Sequence, residues 1–193
     1  MLRNNHENGK EFREDMKTLV VYTSQTGFTK RYAQWIAERM EADLFDLKDV
    51  QKKENSFFDG YKAIVYAGWC MAGKVVKANW FLDRAKNWKG KHLALIAVGG
   101  SPNDNPDVEV ALNNILTDDQ RTYIKAFYCQ GGFNHEKMNL PSKLAMKAFI
   151  AALKKSKNEK ERAVASFIDH SYDIADIKFI EPVVAYLQGE SVA

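Results

Sequence analysis

The sequence predicts an α/β domain in three layers, a five-stranded parallel sheet with helices on both faces and extra helices towards the C-terminus. Three observations carry this. Short apolar runs at Thr18–Tyr22, Asp43–Leu47, Ala63–Ala67, Leu93–Val98 and Tyr123–Cys129 alternate with amphipathic stretches, the signature of βαβ units. The runs at 18–22, 63–67 and 93–98 are almost continuously apolar, as strands covered on both faces must be. The run at 43–47 carries two acids and the fifth carries Lys125, charges that belong on sheet edges. Strands 1, 3 and 4 are therefore central, and the predicted order is 2-1-3-4-5. The alternative 3-2-1-4-5 would leave the apolar third strand at an edge.

Composition excludes several other classes. The chain has 193 residues, 46% hydrophobic and 12% aromatic, a globular mix. At this length roughly 70% of the unfolded chain's surface is buried, so no disulfide or metal staple is required. The 28 basic and 25 acidic residues are spread along the chain, which argues against a nucleic-acid partner. No apolar run approaches the roughly 20 residues of a membrane span. Residues 1–16 are polar, read as a solvated arm and not a secretory signal. Cys70 and Cys129, with no Asn-x-Ser/Thr sequon, fit a reduced, cytoplasmic setting. The domain is expected over 17–193, with 140–170 as a helical extension.

Helices are expected at about 28–41, 75–88, 107–117, 140–156, 159–169 and 176–188. The first has an apolar face of Phe28, Tyr32, Ile36 and Met40, in steps of four. It follows the loop Thr23-Ser24-Gln25-Thr26-Gly27-Phe28-Thr29, at the carboxyl end of the first strand. Ligands of such sheets sit beyond these ends, near the switch point between strands 1 and 3. A helix N-terminus there offers free N–H groups and a positive dipole end. Ser24, Thr26 and Thr29 add hydroxyls, and Gly27 lets the backbone approach a phosphate closely. An ordinary Ser/Thr helix cap needs one hydroxyl, and this loop has three.

Ser-Gln-Thr-Gly-Phe-Thr at 24–29 resembles the Ser/Thr-x-Thr-Gly-x-Thr phosphate loop of the flavodoxin-like family, in the right place after strand 1. The resemblance covers residues 17 to about 130. From Ser171-Tyr172-Asp173 onward the chain is also similar to the flavodoxin-domain group that includes menaquinone-dependent protoporphyrinogen oxidase. The resemblance implies a flavodoxin-like fold and a noncovalent flavin mononucleotide (FMN) whose phosphate sits at Ser24, Gln25, Thr26, Gly27, Phe28 and Thr29.

It also implies flavin contacts on two further loops. After strand 3 the chain reads Gly68-Trp69-Cys70-Met71-Ala72-Gly73-Lys74-Val75. Trp69 and Met71 can face the ring, with Cys70, Ala72 and Gly73 beside them; alternatively Trp69 only covers the sheet end. After strand 4, Gly99, Gly100, Ser101 and Asn103 occupy the place that closes over the ring's other side. The second loop misses a nucleoside-triphosphate loop by one residue, because Val75 stands where the magnesium-binding hydroxyl is needed. A phospho-acceptor domain would need an Asp at the end of strand 3, where this chain has Gly68.

Other residues carry less. The cysteines, on strands separated by a third, are expected roughly 10 Å apart, beyond disulfide reach. The four histidines show no ligand spacing, so no metal is expected; His135 lies nearest the functional edge. Helix 140–155 has an apolar side (Leu144, Ala148, Ala151, Ala152) and a basic one (Lys143, Lys147, Lys154). It either packs on the sheet or makes a peripheral membrane contact.

The expected function is FMN binding with electron transfer or flavin-dependent oxidoreduction, quinone- or porphyrinogen-linked by resemblance. The redox partner would be a protein or a small-molecule acceptor. Shuttle flavodoxins are strongly acidic; net +3 and Lys74 favour the fully reduced anionic flavin and two-electron chemistry. A different class, a flavin-free binding module on the same fold, would show Phe28 or Met71 filling the site.

Overall fold

The computed structural model describes residues 17–190, so the arm at 1–16 lies outside the described residues. Five parallel strands form the sheet: β1 (Thr18–Tyr22), β2 (Asp43–Asp46), β3 (Ala63–Met71), β4 (His92–Gly99) and β5 (Ile124–Gln130). Their order is β2-β1-β3-β4-β5, as the charge pattern predicts. Register runs from Val20 opposite Leu44 and Val65, through Ile64 opposite Leu93, to Leu95 opposite Ala126.

Strand alternation divides the core in two. Val20, Val65, Ala67, Ile96 and Cys129 face one helix layer, α1 (Phe28–Met40), together with the C-terminal helix Glu181–Leu187. Leu19, Val21, Ile64, Tyr66, Leu93 and Leu95 face the other, α2 (Ala78–Ala85). Residues one apart point to opposite faces, so fully apolar strands serve both layers at once. α1 buries Phe28, Tyr32, Ala33, Ile36 and Ala37, the expected face.

Several boundaries differ from expectation. Leu47 leaves the second strand and opens a one-turn helix, because Asp46 caps it through the Lys48 N–H at 3.1 Å. The helix expected from 75 starts at Ala78, since Cys70 and Met71 pair with Val75 and Lys74 in a β-hairpin. Its two-residue turn has positive φ at both Ala72 (49°) and Gly73 (73°), the hairpin geometry that fits strand twist. The helix expected at 107–117 is shorter, α3 (Pro106–Asn113), and a separate turn at Asp118–Arg121 is closed by a Thr117/Gln120 capping box. The last helix begins late because a 3-10 turn (Ile177–Ile180) precedes it.

The extension comprises α4 (Leu140–Lys154) and α5 (Glu159–Ile168). Contrary to the sheet-packing expectation, α4 lies on α5: Ile150, Ala165 and Ile168 form a small third core with Phe133, Met146 and Leu153. Leu144 is 60% exposed. The reason is angular: Met146, Ile150 and Leu153 make the buried stripe, about half a turn from Leu144 and Ala148.

A short antiparallel ladder, Gly132–Phe133 with Tyr172–Asp173, joins both ends of the extension to the tip of β5. The Gly131 N–H donates to the Gly99 carbonyl at 2.7 Å, and the Ile174 N–H to the Gly131 carbonyl at 2.8 Å. Beyond the ladder, the wholly buried Tyr32 donates its hydroxyl to the Gln130 carbonyl at 2.6 Å and accepts from the Asp176 N–H at 3.1 Å. Tyr32→Phe leaves these two backbone groups short of a partner, and is expected to cost about 2 kcal/mol. Urea denaturation checks it; an unchanged midpoint would show that water replaces the hydroxyl.

Candidate functional site

A cavity of about 410 Å³ opens beyond the carboxyl ends of the strands, within the size range of cofactor sites. Four segments build its wall: the β1–α1 loop, the β3 hairpin, the tip of β4, and the extension. None of its lining residues is charged.

The first wall is the predicted loop. Gly27 stands at the N-cap of α1 with φ 106° and ψ −22°, a conformation open to glycine and costly for any other residue. No side chain caps α1. The Ser24 hydroxyl instead accepts from the Gly27 N–H at 3.2 Å, which shapes the loop. The first-turn N–H groups and the positive dipole end of a thirteen-residue helix therefore have no protein acceptor from a side chain. Thr26 and Thr29 line the cavity, Thr29 while only 1% exposed overall. Gln25 and Phe28 line it too, whereas Ser24 and Gly27 lie behind.

The second wall is the hairpin. Trp69, Cys70, Met71 and Ala72 line the cavity; Gly73, at the turn, does not. The Val76 N–H donates to the Trp69 carbonyl at 2.9 Å and the Tyr66 hydroxyl to the Val76 carbonyl at 2.8 Å, tying the hairpin to the sheet. The segment after Gly73 is a strand and not a helix N-terminus, so the triphosphate-loop alternative lacks its geometry. Lys74 is exposed and outside the lining, which removes the expected positive charge from the cavity wall. Neither suspected plug fills the space: Phe28 packs against Gly131 and Gly132, and Met71 is 56% exposed.

At the third wall, Gly99 and Gly100 line the cavity, but Ser101 and Asn103 do not. Asn103 is zipped to β5. Its N–H donates to Gln130 Oε1, and its Oδ1 accepts from the Gln130 N–H, both at 2.8 Å; its Nδ2 donates to the Tyr128 carbonyl at 3.2 Å. The Ser101 carbonyl accepts from the Tyr128 hydroxyl at 2.8 Å. These partners turn the loop away from the cavity after Gly100.

The fourth wall was not expected from the sequence. Gly132, Phe133, Met138, Ser142, Ala145, Met146 and Phe149 line the cavity, together with Val98 of β4. Its signal was present: Met138, Ser142, Ala145 and Phe149 recur in steps of four, three and four, a second stripe beside the one centred on Leu144. His135 is not in the lining. Its ring stacks on Phe133 with Nε2 3.0 Å from the Ile168 carbonyl, and its N–H donates to Ser171 Oγ at 2.9 Å. It fastens the extension.

The cysteines are both free, on strands separated by β4. Burial pushes the Cys70 thiol up to about 11 and the Cys129 thiol up to about 12. Cys70 is thus a neutral thiol in the cavity wall at pH 7. Both shifts favour the protonated form in the folded chain, so their stabilisation is complete below the unfolded thiol value near 9 and is lost as pH rises towards 11–12. The melting temperature is expected to fall steadily above pH 9, and a Cys70→Ser/Cys129→Ala variant to show a flatter decline. Equal slopes for both proteins would assign alkaline lability elsewhere.

Among the described residues, no cluster of His, Cys, Asp and Glu could hold a metal ion, and no helix is long and apolar enough to cross a membrane. Comparison with curated proteins gave no match. Solved structures similar to the chain include the Trp repressor binding protein from Bacillus subtilis, at 17% identity and a TM-score of 0.42, covering 61% of this chain and 85% of that one. A flavodoxin from the domain Archaea is 13% identical with a TM-score of 0.41, covering 80% and 100%. A flavoprotein in complex with FMN from Lactobacillus acidophilus NCFM is 17% identical with a TM-score of 0.41, covering 60% and 92%. A family model described as flavodoxin domain matches residues 19–161, well over half of the chain. With that match, the strand order and the loop at 24–29, the chain belongs to the flavodoxin domain family.

Proposed function

We propose that the cavity holds FMN noncovalently and that the protein acts in electron transfer or flavin-dependent oxidoreduction. The observation that carries this reading is the uncapped N-terminus of α1, facing a cavity between hydroxyls that the helix does not use. Thr26, Thr29, Gln25 and the N–H groups from Phe28 onward would hold the phosphate, with Ser24 accepting from the Gly27 N–H to keep Gly27 in place. Membership of the flavodoxin domain family supports the same cofactor.

The rest of the lining fits a flavin. Trp69, Cys70, Met71 and Ala72 on one side and Gly99, Gly100, Phe133 and Phe149 elsewhere give apolar surface with backbone groups between. Gly73 forms the hairpin turn, and Ser101 and Asn103 bond to Tyr128 and Gln130 outside the lining. The cofactor supplies the electron-transfer chemistry when bound; the protein's part is to bind it, orient it and keep water from it. No residue of the lining is a charged acid or base at pH 7, so the donor and acceptor, protein or small molecule, must bring or take protons without a side-chain relay.

A visible absorption spectrum of the purified protein, before and after adding FMN, tests the proposal. Flavin bands that co-purify shifted, or flavin fluorescence quenched on titration, support it. No binding at micromolar protein and excess FMN overturns it, in favour of a flavin-free module.

A further inference from the structure

We infer that α4 is a docking surface for an anionic lipid bilayer, on which the protein lies without crossing it. The first observation is the exposed face of this helix. Leu140, Leu144, Ala148 and Ala151 fall in one row at helical spacing, with Pro141, Ala145, Phe149 and Ala152 in the row beside it. All eight are exposed; Leu140 is 69% and Leu144 60%. α4 buries one residue in fifteen, Ile150. On α5, Val164 and Phe167 are also exposed, at 47% and 43%. Phe167 also meets the Tyr172 ring at 4.5 Å, but the row from Leu140 to Ala151 stays exposed, and an apolar arc of this width marks a contact face.

The second observation is charge. Residues 137–170 hold eight Lys and Arg against three Asp and Glu, a net +5, whereas the whole chain is +3, which leaves the remainder at −2. The basic residues outside this segment, 20 of the 28, are offset by 22 acids, so the net positive excess lies in it. Lys143, Lys147 and Lys154 flank the apolar face of α4 between it and the buried stripe. Lys154 pairs with Asp169, but Lys147, Lys155, Lys157 and Lys160 have no ion-pair partner among the described residues. Long basic side chains beside an apolar arc let the arc enter an acyl boundary while the ammonium groups reach the headgroups.

The same charge argues against a second copy as the occupant, since two net +5 surfaces repel when apposed. Four of the eight residues of this face are alanines, which offer few knobs for a protein partner, but a bilayer conforms to it. The lipid reading rests on the outer row: Leu140, Leu144, Ala148 and Ala151 lie outside the cavity lining, whereas Ala145 and Phe149 of the neighbouring row belong to it.

The test is flotation of the full chain with vesicles of phosphatidylcholine containing phosphatidylglycerol, and with phosphatidylcholine alone. Binding is expected to the anionic vesicles only, weakening with added salt. Leu144→Glu, and separately Lys147→Glu with Lys155→Glu, are each expected to lower partitioning at least about tenfold. Unchanged circular dichroism shows that these exposed sites leave the fold intact, and Leu140→Ser serves where Leu144→Glu fails to fold. No binding to anionic vesicles, equal binding to both kinds, or indifference to the substitutions overturns the inference. So does a dimer in sedimentation equilibrium that Leu144→Glu dissociates, which would give the face to a second copy.

Discussion

Replacing Thr26 and Thr29 together with alanine is expected to weaken FMN binding about a hundredfold, on the proposed function. Hydrogen bonds from a hydroxyl to a charged acceptor contribute roughly 1.5–3 kcal/mol each, so two lost bonds amount to about 3 kcal/mol or more. The folded protein should tolerate the change, because neither hydroxyl caps α1 and the loop is shaped by Ser24 and Gly27. Fluorescence titration with FMN measures the loss, beside a melting curve that registers stability separately. Thr26→Ser with Thr29→Ser keeps both hydroxyls and should retain most of the affinity. If the alanine variant binds FMN within about twofold of the wild type, the phosphate is held elsewhere.

The largest effect on stability is expected at Gly132, where Gly132→Ala should cost about 3 kcal/mol. Two physical reasons add. Its φ of 145° is a region that a side chain enters only under strain. A Cβ there would also run into the Tyr172 carbonyl, which is backbone of the facing strand and has nowhere to go. Relief requires opening the ladder between Gly132–Phe133 and Tyr172–Asp173, the neck of the extension. Phe133 would leave the cavity wall with it, so FMN affinity should fall as stability does. Gly131→Ala is the matched comparison. Its Cβ would meet Phe28 Cβ and Val98 Cγ1 at 3.1 Å, side chains that can yield by a few tenths of an ångström. Urea denaturation of the two variants should therefore give clearly different midpoints. Equal midpoints would mean that the ladder does not anchor the extension.

Much of the sheet was legible in the residues. Continuous apolar runs at 18–22, 63–67 and 93–98 can only be strands with helices on both sides, and Asp43, Asp46 and Lys125 push their strands outward. The phosphate-loop candidate was legible for a related reason: it is local. Hydroxyls, glycine and helix start lie within six residues, so their juxtaposition needs no tertiary information. The hairpin at Ala72–Gly73 was harder, since alanine at φ 49° is disfavoured and gives no turn signal. The turn exists because Cys70 and Met71 find strand partners in Val75 and Lys74.

The sequence by itself determined the layers, the strand order and the first wall of the cavity, because those follow from side-chain alternation and nearest-neighbour chemistry. Only the tertiary structure decided the fourth wall and the role of the third loop. Phe133 and Phe149 come to face Trp69 through contacts across more than sixty positions, and Asn103 is withdrawn by Gln130 across 27. α4 carries two apolar stripes of similar strength, and its sequence cannot say which is buried. The choice is made by what the neck brings alongside: α5 takes Met146, Ile150 and Leu153, the cavity takes Ser142, Ala145 and Phe149, and Leu140 and Leu144 are left facing outward.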